Sequence, residues 1–210
     1  VGVDAVIKAL SEVWASPFTA RAFAWRQAHM QGPEHVYPAI LLLLSVNADK
    51  SGVMVTRDID SGADNALSVA INEGVGGAVD GQAAESLRIN TDSGQLRLLA
   101  QATAPWRRQV NLKGGVDKLP ASGDDTVLKR AEADQLIELA RVLPQRFPSI
   151  VDSQGQAAAA DIEFGFVDGH LKLFQIRPFL ESQRARGNSY LNSLDKSLKD
   201  LHSVQVNMSE

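Results

Sequence analysis

The chain has 210 residues, enough for one domain or two small ones with a buried core. Its net charge of −4 comes from acidic and basic residues that are interspersed, which argues against a nucleic-acid or membrane-surface protein because such proteins carry basic blocks. The absence of cysteine excludes disulfides, thiolate metal sites and cysteine nucleophiles, and it suits a reducing compartment such as the cytoplasm. The longest apolar run, 39–44, is too short to span a bilayer.

The first 38 residues predict two helices. Asp4 is expected to cap the first, whose apolar residues recur at helical spacing. Ser16 is expected to cap the second, with Pro17 at the first helical position, where its missing N–H costs nothing. We interpret residues 1–38 as a helical segment leading into a domain. Because these residues already have the pattern of a domain interior, we expect the chain to be a piece of a longer protein.

From residue 39 the pattern changes to that of strands. Residues 39–46 form a run that is apolar except at Ser45, as expected for a strand buried on both faces. Further strands are predicted at 52–57, 67–72, 85–90 and 96–101. Residues 102–128 lack periodicity and are interpreted as loops, whereas 131–147 predict an amphipathic helix that Pro144 can kink or end early. The polar tail, 181–210, predicts one weak helix.

Polar side chains alternate along a predicted hairpin near the end of the chain. Asp161 and Glu163 share one face of its first strand, and Gln175 and Arg177 share one face of its second strand. A two-residue loop at Asp168-Gly169 is the default signal, and it would put the two pairs on opposite faces of the sheet. A three-residue loop would put all four side chains on the same face.

The apolar residues of the hairpin favour the three-residue loop. With that loop, one hydrophobic layer would form from Ile162, Phe164, Phe174 and Ile176. The other register would mix apolar and polar side chains on both faces. Each misplaced large apolar side chain would forfeit about 1.5–3 kcal/mol of burial. We therefore predict a three-residue loop and a single polar face.

Such a face would carry two carboxylates, an amide and a guanidinium. Carboxylate oxygens are preferred ligands of Mg²⁺, and the planar fork of an arginine matches a phosphate. Together they suit the electrostatic task of phosphoryl transfer. Spacing alone leaves an alternative open, namely a surface hairpin with a cross-strand ion pair.

Four segments resemble one known family in the family's own order. Asp161-Ile162-Glu163-Phe164 followed by Gln175-Ile176-Arg177-Pro178 is similar to the closing segment of the nucleotide-binding domain of phosphoenolpyruvate synthase and pyruvate phosphate dikinase. The other matching segments are VWASPFTARAFAWR at 13–26, SGVMVT at 51–56 and the glycine-rich GVGGAVDG at 74–81. Any one of them alone would be a weak signal.

This resemblance implies an α+β fold, an ATP-grasp lobe with a mostly antiparallel sheet packed against helices, over residues 39–180. It implies that ATP and Mg²⁺ bind, with Glu163, Gln175 and Asp161 at the metal. Arg177 would be the catalytic contact to the terminal phosphates, while Glu163, Gln175, Gly74 and Gly76 would contact the nucleotide. In the family, ATP phosphorylates a histidine on a separate domain, which passes the phosphate to pyruvate.

The chain also differs from the family pattern. Gly77 stands where the family has a glutamate, and Leu43 stands where it has a glutamine. Neither the front ATP-grasp lobe nor the phosphohistidine domain is recognisable, so both are expected partners and the chain is expected to be inactive alone. Two alternatives stay open: a non-catalytic interaction module of the same fold, and a related dikinase acting on a glucan or a small molecule.

Overall fold

The computed structural model describes residues 2–30, 32, 34–148, 150–151 and 155–179, so the predicted tail at 181–210 lies outside the described residues. The helices are α1 (Val3–Ala15), α2 (Ala20–His29) and α3 (Arg130–Arg146). The strands are β1 (Lys50–Val55), β2 (Ala66–Glu73), β3 (Glu85–Asn90), β4 (Leu96–Ala100), β5 (Trp106–Val110), β6 (Val116–Pro120), β7 (Ala160–Val167) and β8 (His170–Pro178).

The two N-terminal helices are present, but both predicted caps are wrong. Asp4 lies inside the first turn of α1, where its charge favours the helix dipole, and Gly2 occupies the N-cap position. Ser16 and Pro17 form a short 3-10 turn. Thr19 caps α2 instead, its hydroxyl accepting the N–H of Ala22 at 3.4 Å. The extended backbone of Thr19 leaves its side chain free to do so.

Six strands form one antiparallel sheet in the order β4-β3-β2-β1-β7-β8. Four of them confirm the strands predicted between 52 and 101, within two residues at each end, and α3 likewise confirms the predicted helix and continues past Pro144. One sheet face, which we call the core face, packs against α3. Its buried residues include Met54, Leu67, Ile71, Ile162 and Phe164, together with Leu136 from α3. The mostly antiparallel α+β fold is therefore confirmed.

Two buried carboxylates attach α3 and its preceding loop to the sheet. Glu85 accepts the backbone N–H groups of Val127 and Leu128 at 2.7 and 2.8 Å. Glu132 accepts an ammonium hydrogen bond from Lys50 of β1 at 2.8 Å. Because buried carboxylates are stable only when they are hydrogen-bonded, these contacts fix where α3 begins.

The predicted strand at 39–46 is wrong. These residues belong to no helix or strand, and the side chains of Leu41, Leu42, Leu43 and Leu44 are all exposed. The apolar run indicates a segment that needs burial, but a strand also needs a neighbour to receive its hydrogen bonds. The described part of the chain offers it no neighbouring strand.

The loop predicted at 102–128 is also wrong in part, because β5 and β6 form a separate two-stranded sheet there. Arg107 pairs with Leu119 and Arg108 pairs with Lys118 across this hairpin. None of the helices in the described ranges has the length and apolar character needed to cross a membrane.

Candidate functional site

The terminal hairpin has the predicted single polar face, but a different feature of its backbone produces it. Val167 pairs with His170, so the turn contains only Asp168 and Gly169, both with positive φ (50° and 73°). The three-residue loop is therefore wrong, and the default two-residue turn is present.

The register shift occurs further along, at a β-bulge. Glu163 pairs with Gln175, whereas the next residue, Phe164, pairs with Leu173, which leaves Phe174 as the extra residue. One inserted residue reverses which side chains face which side of the sheet, as a longer turn would have done.

The bulge puts all four polar residues on the same face. Asp161 lies opposite Arg177, and Glu163 lies opposite Gln175. Ile162, between the two acids, is completely buried on the core face. We call the opposite face, which carries Asp161, Glu163, Gln175 and Arg177, the site face.

The prediction that Phe174 joins the hydrophobic layer is wrong. It is 41% exposed, and its ring lies over Gly165, where a Cβ atom would come within 2.8 Å of it. Gly165 precedes the buried Phe166 and follows the buried Phe164, so it faces the site face. The aromatic ring therefore covers a position that only glycine leaves open.

Arg177 is held by Asp161 through a hydrogen bond from its Nε to Oδ2 at 2.8 Å. That hydrogen bond, the negative charge of Asp161 and the charge of Glu163 together raise the pKa of Arg177 above its ordinary value, against the effect of burial. The Asp161 side chain is mostly buried, whereas that of Arg177 is mostly exposed. The guanidinium is therefore oriented while its outer edge faces solvent.

Glu163 and Gln175 are the unengaged pair of the site. Neither side chain makes a hydrogen bond to another described residue, and their Cβ atoms are cross-strand neighbours, about 4.5–5.5 Å apart. No group of three or more acidic, histidine or cysteine side chains that could hold a metal occurs within the described ranges. A carboxylate and an amide oxygen suit Mg²⁺, which keeps several waters and takes other ligands from phosphates. The metal and nucleotide roles predicted for these residues remain predictions.

The glycine-rich loop, residues 74–81, is anchored to the sheet by Ser51. The Ser51 hydroxyl donates to the carbonyl of Gly74 at 2.8 Å and accepts the N–H of Gly76 at 2.9 Å. The N–H of Gly74 donates to the carbonyl of Asp49 at 2.7 Å. Sequence reasoning did not single out Ser51, although a buried serine inside a strand is itself a signal of a hydrogen-bonding role.

These contacts bear on how the loop could bind a ligand. The N–H groups of Gly74 and Gly76 are already used within the chain, so nucleotide binding by these two residues stays a prediction. The N–H groups of the next three residues, 77–79, donate to no other described residue. The loop therefore has free donors at its tip.

The loop and the polar hairpin lie on the same side of the sheet. Ser51 pairs with Gly165, and Val53 pairs with Glu163 in the next row of side chains facing the same way. Successive rows are about 7 Å apart along a strand. The anchor of the glycine-rich loop is thus one row from the Glu163–Gln175 pair.

A comparison with protein families shows which family the chain belongs to. The family model described as "Pyruvate phosphate dikinase, AMP/ATP-binding domain" matches residues 1–197. The chain belongs to this family. The resemblance inferred from its four segments is therefore confirmed, and this AMP/ATP-binding domain carries the site face described above.

Several curated proteins are similar to this AMP/ATP-binding domain. A rifampicin phosphotransferase of Streptomyces sviceus is 28% identical over 85% of the chain and 20% of the relative. A probable phosphoenolpyruvate synthase of Methanothermobacter thermautotrophicus is 25% identical over 95% of the chain and 28% of the relative. The phosphoenolpyruvate synthase of Pyrococcus furiosus is 28% identical over 85% of the chain and 22% of the relative. The chain thus spans between a fifth and three tenths of the length of these relatives.

At Gly77 the packing of the domain explains why a larger residue is absent. A Cβ atom there would lie 2.3 Å from Oε1 of Gln82 and 2.9 Å from Cβ of Asn72. Asn72 is buried and donates to the carbonyl of Ala83 at 3.1 Å. The space beside Gly77 is therefore filled by two amide side chains, and a glutamate would fit only after both had moved.

Proposed function

We propose that this chain forms one wall of an ATP site. In it, Glu163 and Gln175 hold Mg²⁺, Asp161 completes the metal surroundings, and Arg177 contacts the terminal phosphates of ATP. The observation that carries this proposal is the bulge at Phe174, which gathers two acids, an amide and a guanidinium on one face. The free donors at the tip of the glycine-rich loop, one row away, support a phosphate position beside them.

Each side chain of the site has a separate task in this proposal. Mg²⁺, when bound, would neutralise the charge of the phosphates. Asp161 accepts a hydrogen bond from Nε of Arg177, and the terminal nitrogens of Arg177 make no hydrogen bond to any described residue, so they can both donate to one phosphate. Glu163 and Gln175 supply two oxygens without first breaking a contact. Because Asp161 already orients Arg177, little reorganisation of this side chain accompanies the transfer.

The proposal extends to the reaction of the whole protein. We propose that ATP phosphorylates a histidine on a separate domain, which then passes the phosphate to an acceptor. The relatives are named as phosphoenolpyruvate synthases and a rifampicin phosphotransferase, so pyruvate and a small-molecule alcohol are both candidate acceptors. We also propose a cytoplasmic location, which the absence of cysteine supports.

The other wall of the site would come from a front lobe outside this chain. Large apolar side chains are exposed on α1, on the turn after it and on the 39–46 run, among them Trp14, Phe18, Leu43 and Leu44. Exposed apolar surface of this extent is typical of an interface. We propose that the front lobe covers it, and that the chain alone is inactive because ATP would lie between two lobes.

The metal role is tested by calorimetric titration of the full-length protein with ATP, with and without Mg²⁺. Glu163→Gln should weaken Mg·ATP binding about tenfold or more while leaving metal-free ATP binding nearly unchanged, because only the metal ligand is lost. Glu138→Gln, on the exposed side of α3, is the matched control and should bind as the wild type does. Equal Mg·ATP affinity in Glu163→Gln and the wild type would contradict the proposal.

Arg177 tests the phosphate role separately. Arg177→Ala should reduce phosphoryl transfer by about 10²–10³-fold, the scale expected for a donor aimed at developing charge. A second candidate, a non-catalytic module of the same fold, is favoured by the filled space at Gly77 and by Leu43. Full activity of Arg177→Ala in the full-length protein would support that module and contradict catalysis at this site.

A further inference from the structure

The β5–β6 hairpin contacts the beginning of the glycine-rich loop through its backbone. Gly74 forms a parallel bridge with Arg108, and the N–H of Val75 donates to the carbonyl of Arg108 at 3.0 Å. A Cβ atom on Gly74 would lie 2.0 Å from that carbonyl oxygen. Only glycine permits the two backbones to approach so closely, and Gly74 also has a positive φ of 74°.

The same arginine contacts the end of the loop through its side chain. Its guanidinium donates from Nη1 to Oδ2 of Asp80. The Arg108 side chain is only 22% exposed, whereas the Asp80 side chain is 54% exposed, so water reaches this ion pair from the Asp80 side. A further hydrogen bond, from the Gln82 amide to the carbonyl of Trp106 at 3.4 Å, continues the contact past the loop.

The ring of Trp106 also restricts the position of the Arg108 guanidinium. Its ring lies 5.6 Å from Cζ of Arg108 and 4.3 Å from Nζ of Lys118, so it is flanked by two cations. Cation–π attraction and the short hairpin limit the positions that the Arg108 side chain can take. Arg108 thus holds both ends of one loop, at 74–75 by its main chain and at Asp80 by its charge.

We propose that Arg108 is a positioning residue of the ATP site, which holds the glycine-rich loop in the shape that receives phosphate. This inference rests on the proposed function. A loop that is ordered before binding loses less entropy when the ligand arrives, so its affinity is higher. Arg108 itself is engaged with Asp80 and acts through the loop, not on the nucleotide.

The neighbouring Arg107 provides a matched control. Because Arg107 and Arg108 are adjacent on one strand, their side chains lie on opposite faces of the hairpin. Arg107 pairs with Leu119 and makes no hydrogen bond or ion pair with any described residue. Arg107→Ala therefore removes the same chemical group from the same strand without releasing the loop.

The first experiment measures amide hydrogen exchange in the full-length protein without nucleotide. The reporters are the N–H groups of Asp80 and Gln82, which donate to the carbonyls of Gly76 and Gly77 at 3.0 and 3.1 Å. Arg108→Ala should speed their exchange about tenfold, because the ion pair that closes the loop is lost, whereas Arg107→Ala should not. Equal exchange in the two variants would overturn the proposal.

The second experiment separates KM for ATP from kcat. Arg108→Ala should raise KM about 5- to 20-fold with kcat nearly unchanged, and the reversed pair Asp80→Arg with Arg108→Asp should restore most of the affinity. A reversed pair no better than Arg108→Ala, or an unchanged KM in Arg108→Ala, would overturn the proposal. If the wild-type protein binds no ATP, the proposed function fails and this role fails with it, whereas the exchange result still shows separately whether Arg108 orders the loop.

Discussion

Two regions of this chain both contain many apolar residues, but these residues are buried in one region and exposed in the other. In the sheet body, residues 50–179, most apolar residues of β1, β2, β3 and β7 are buried, and Phe164 is completely buried. In the N-terminal segment, residues 2–46, the apolar residues are largely exposed, and Leu44 is 96% exposed. An apolar pattern indicates that a segment needs a partner, but it does not indicate whether the same chain supplies that partner.

The same comparison distinguishes the proposed site wall, which lies in the sheet body, from the surface that the proposed front lobe would cover, which lies in the N-terminal segment. The sheet body holds its polar residues by contacts within the chain, such as Asp161 with Arg177 and Ser51 with the glycine-rich loop. The N-terminal segment has exposed apolar side chains where the proposed front lobe would pack. Arg177 and the glycine-rich loop of the proposed ATP-site wall are therefore held by contacts within the sheet body itself.

The largest expected effect contrasts one residue from each region. Phe164→Ala should lower the free energy of unfolding of the 210-residue chain by about 3–5 kcal/mol, because it leaves a cavity in the core. Leu44→Ala should change it by less than about 0.5 kcal/mol, because nothing in the described structure packs on it. Denaturant titration of both variants measures the difference, and similar losses would contradict the comparison.

The same substitution, made in the full-length protein, tests the comparison more sharply. There, Leu44→Ala should lower the free energy of unfolding by about 2–5 kcal/mol, because the proposed front lobe would bury it. Asp4→Ala, an exposed change on α1, serves as the control in both lengths of protein. An effect of Leu44→Ala that is equally small in the longer protein would mean that this segment is not covered.

A smaller effect is expected at the buried carboxylate of the sheet body. Glu85→Gln should lower the free energy of unfolding by about 1.5–3 kcal/mol, because Val127 and Leu128 donate to different carboxylate oxygens and the amide puts an NH2 donor in place of one of them. Glu138→Gln on the exposed side of α3 should leave stability unchanged. If the two variants were equally stable, Glu85 would not be what fixes the segment before α3.

The strands β1 to β4 were predictable because they pair with one another in chain order, and β3 alternates strictly between buried and half-buried residues. The single polar face of the terminal hairpin was also predictable, since grouping Ile162 with Phe164 and Ile176 requires it. The backbone feature that produces this single polar face was not predictable. It depends on the bulge at Phe174, whose ring needs the open position at Gly165, and that contact joins two strands.

Other features depended on contacts that sequence spacing does not reveal. The β5–β6 hairpin was missed because its strands are short and because its anchors, Gly74 and Val75, lie more than thirty residues away. Ser51 was missed for the same reason, since its partners are in the glycine-rich loop. The 39–46 run was misassigned because the pattern cannot show that the described residues contain no partner strand for it.

The smallest expected effect concerns acid stability at Asp58, in the turn between β1 and β2. Burial would raise its pKa, but hydrogen bonds from the Ser61 hydroxyl and the Asp60 N–H and the charge of Arg88, at 3.0 Å, hold the pKa below its ordinary value. A lowered folded-state pKa adds stability above the unfolded value, about 3.9, which is lost as the pH falls through the folded value.

Asp58→Asn should therefore be about 1 kcal/mol less stable at pH 7, and its stability should fall less steeply below about pH 4, so that the two curves converge in acid. Asp4→Asn in the N-terminal segment is the control, because Asp4 makes no hydrogen bond or ion pair with a described residue. Denaturant titrations between pH 2 and 7 measure both curves. Parallel curves for the wild type and Asp58→Asn would show that this carboxylate contributes nothing to the acid sensitivity of the sheet body. The sheet body would then resemble the N-terminal segment in this one respect.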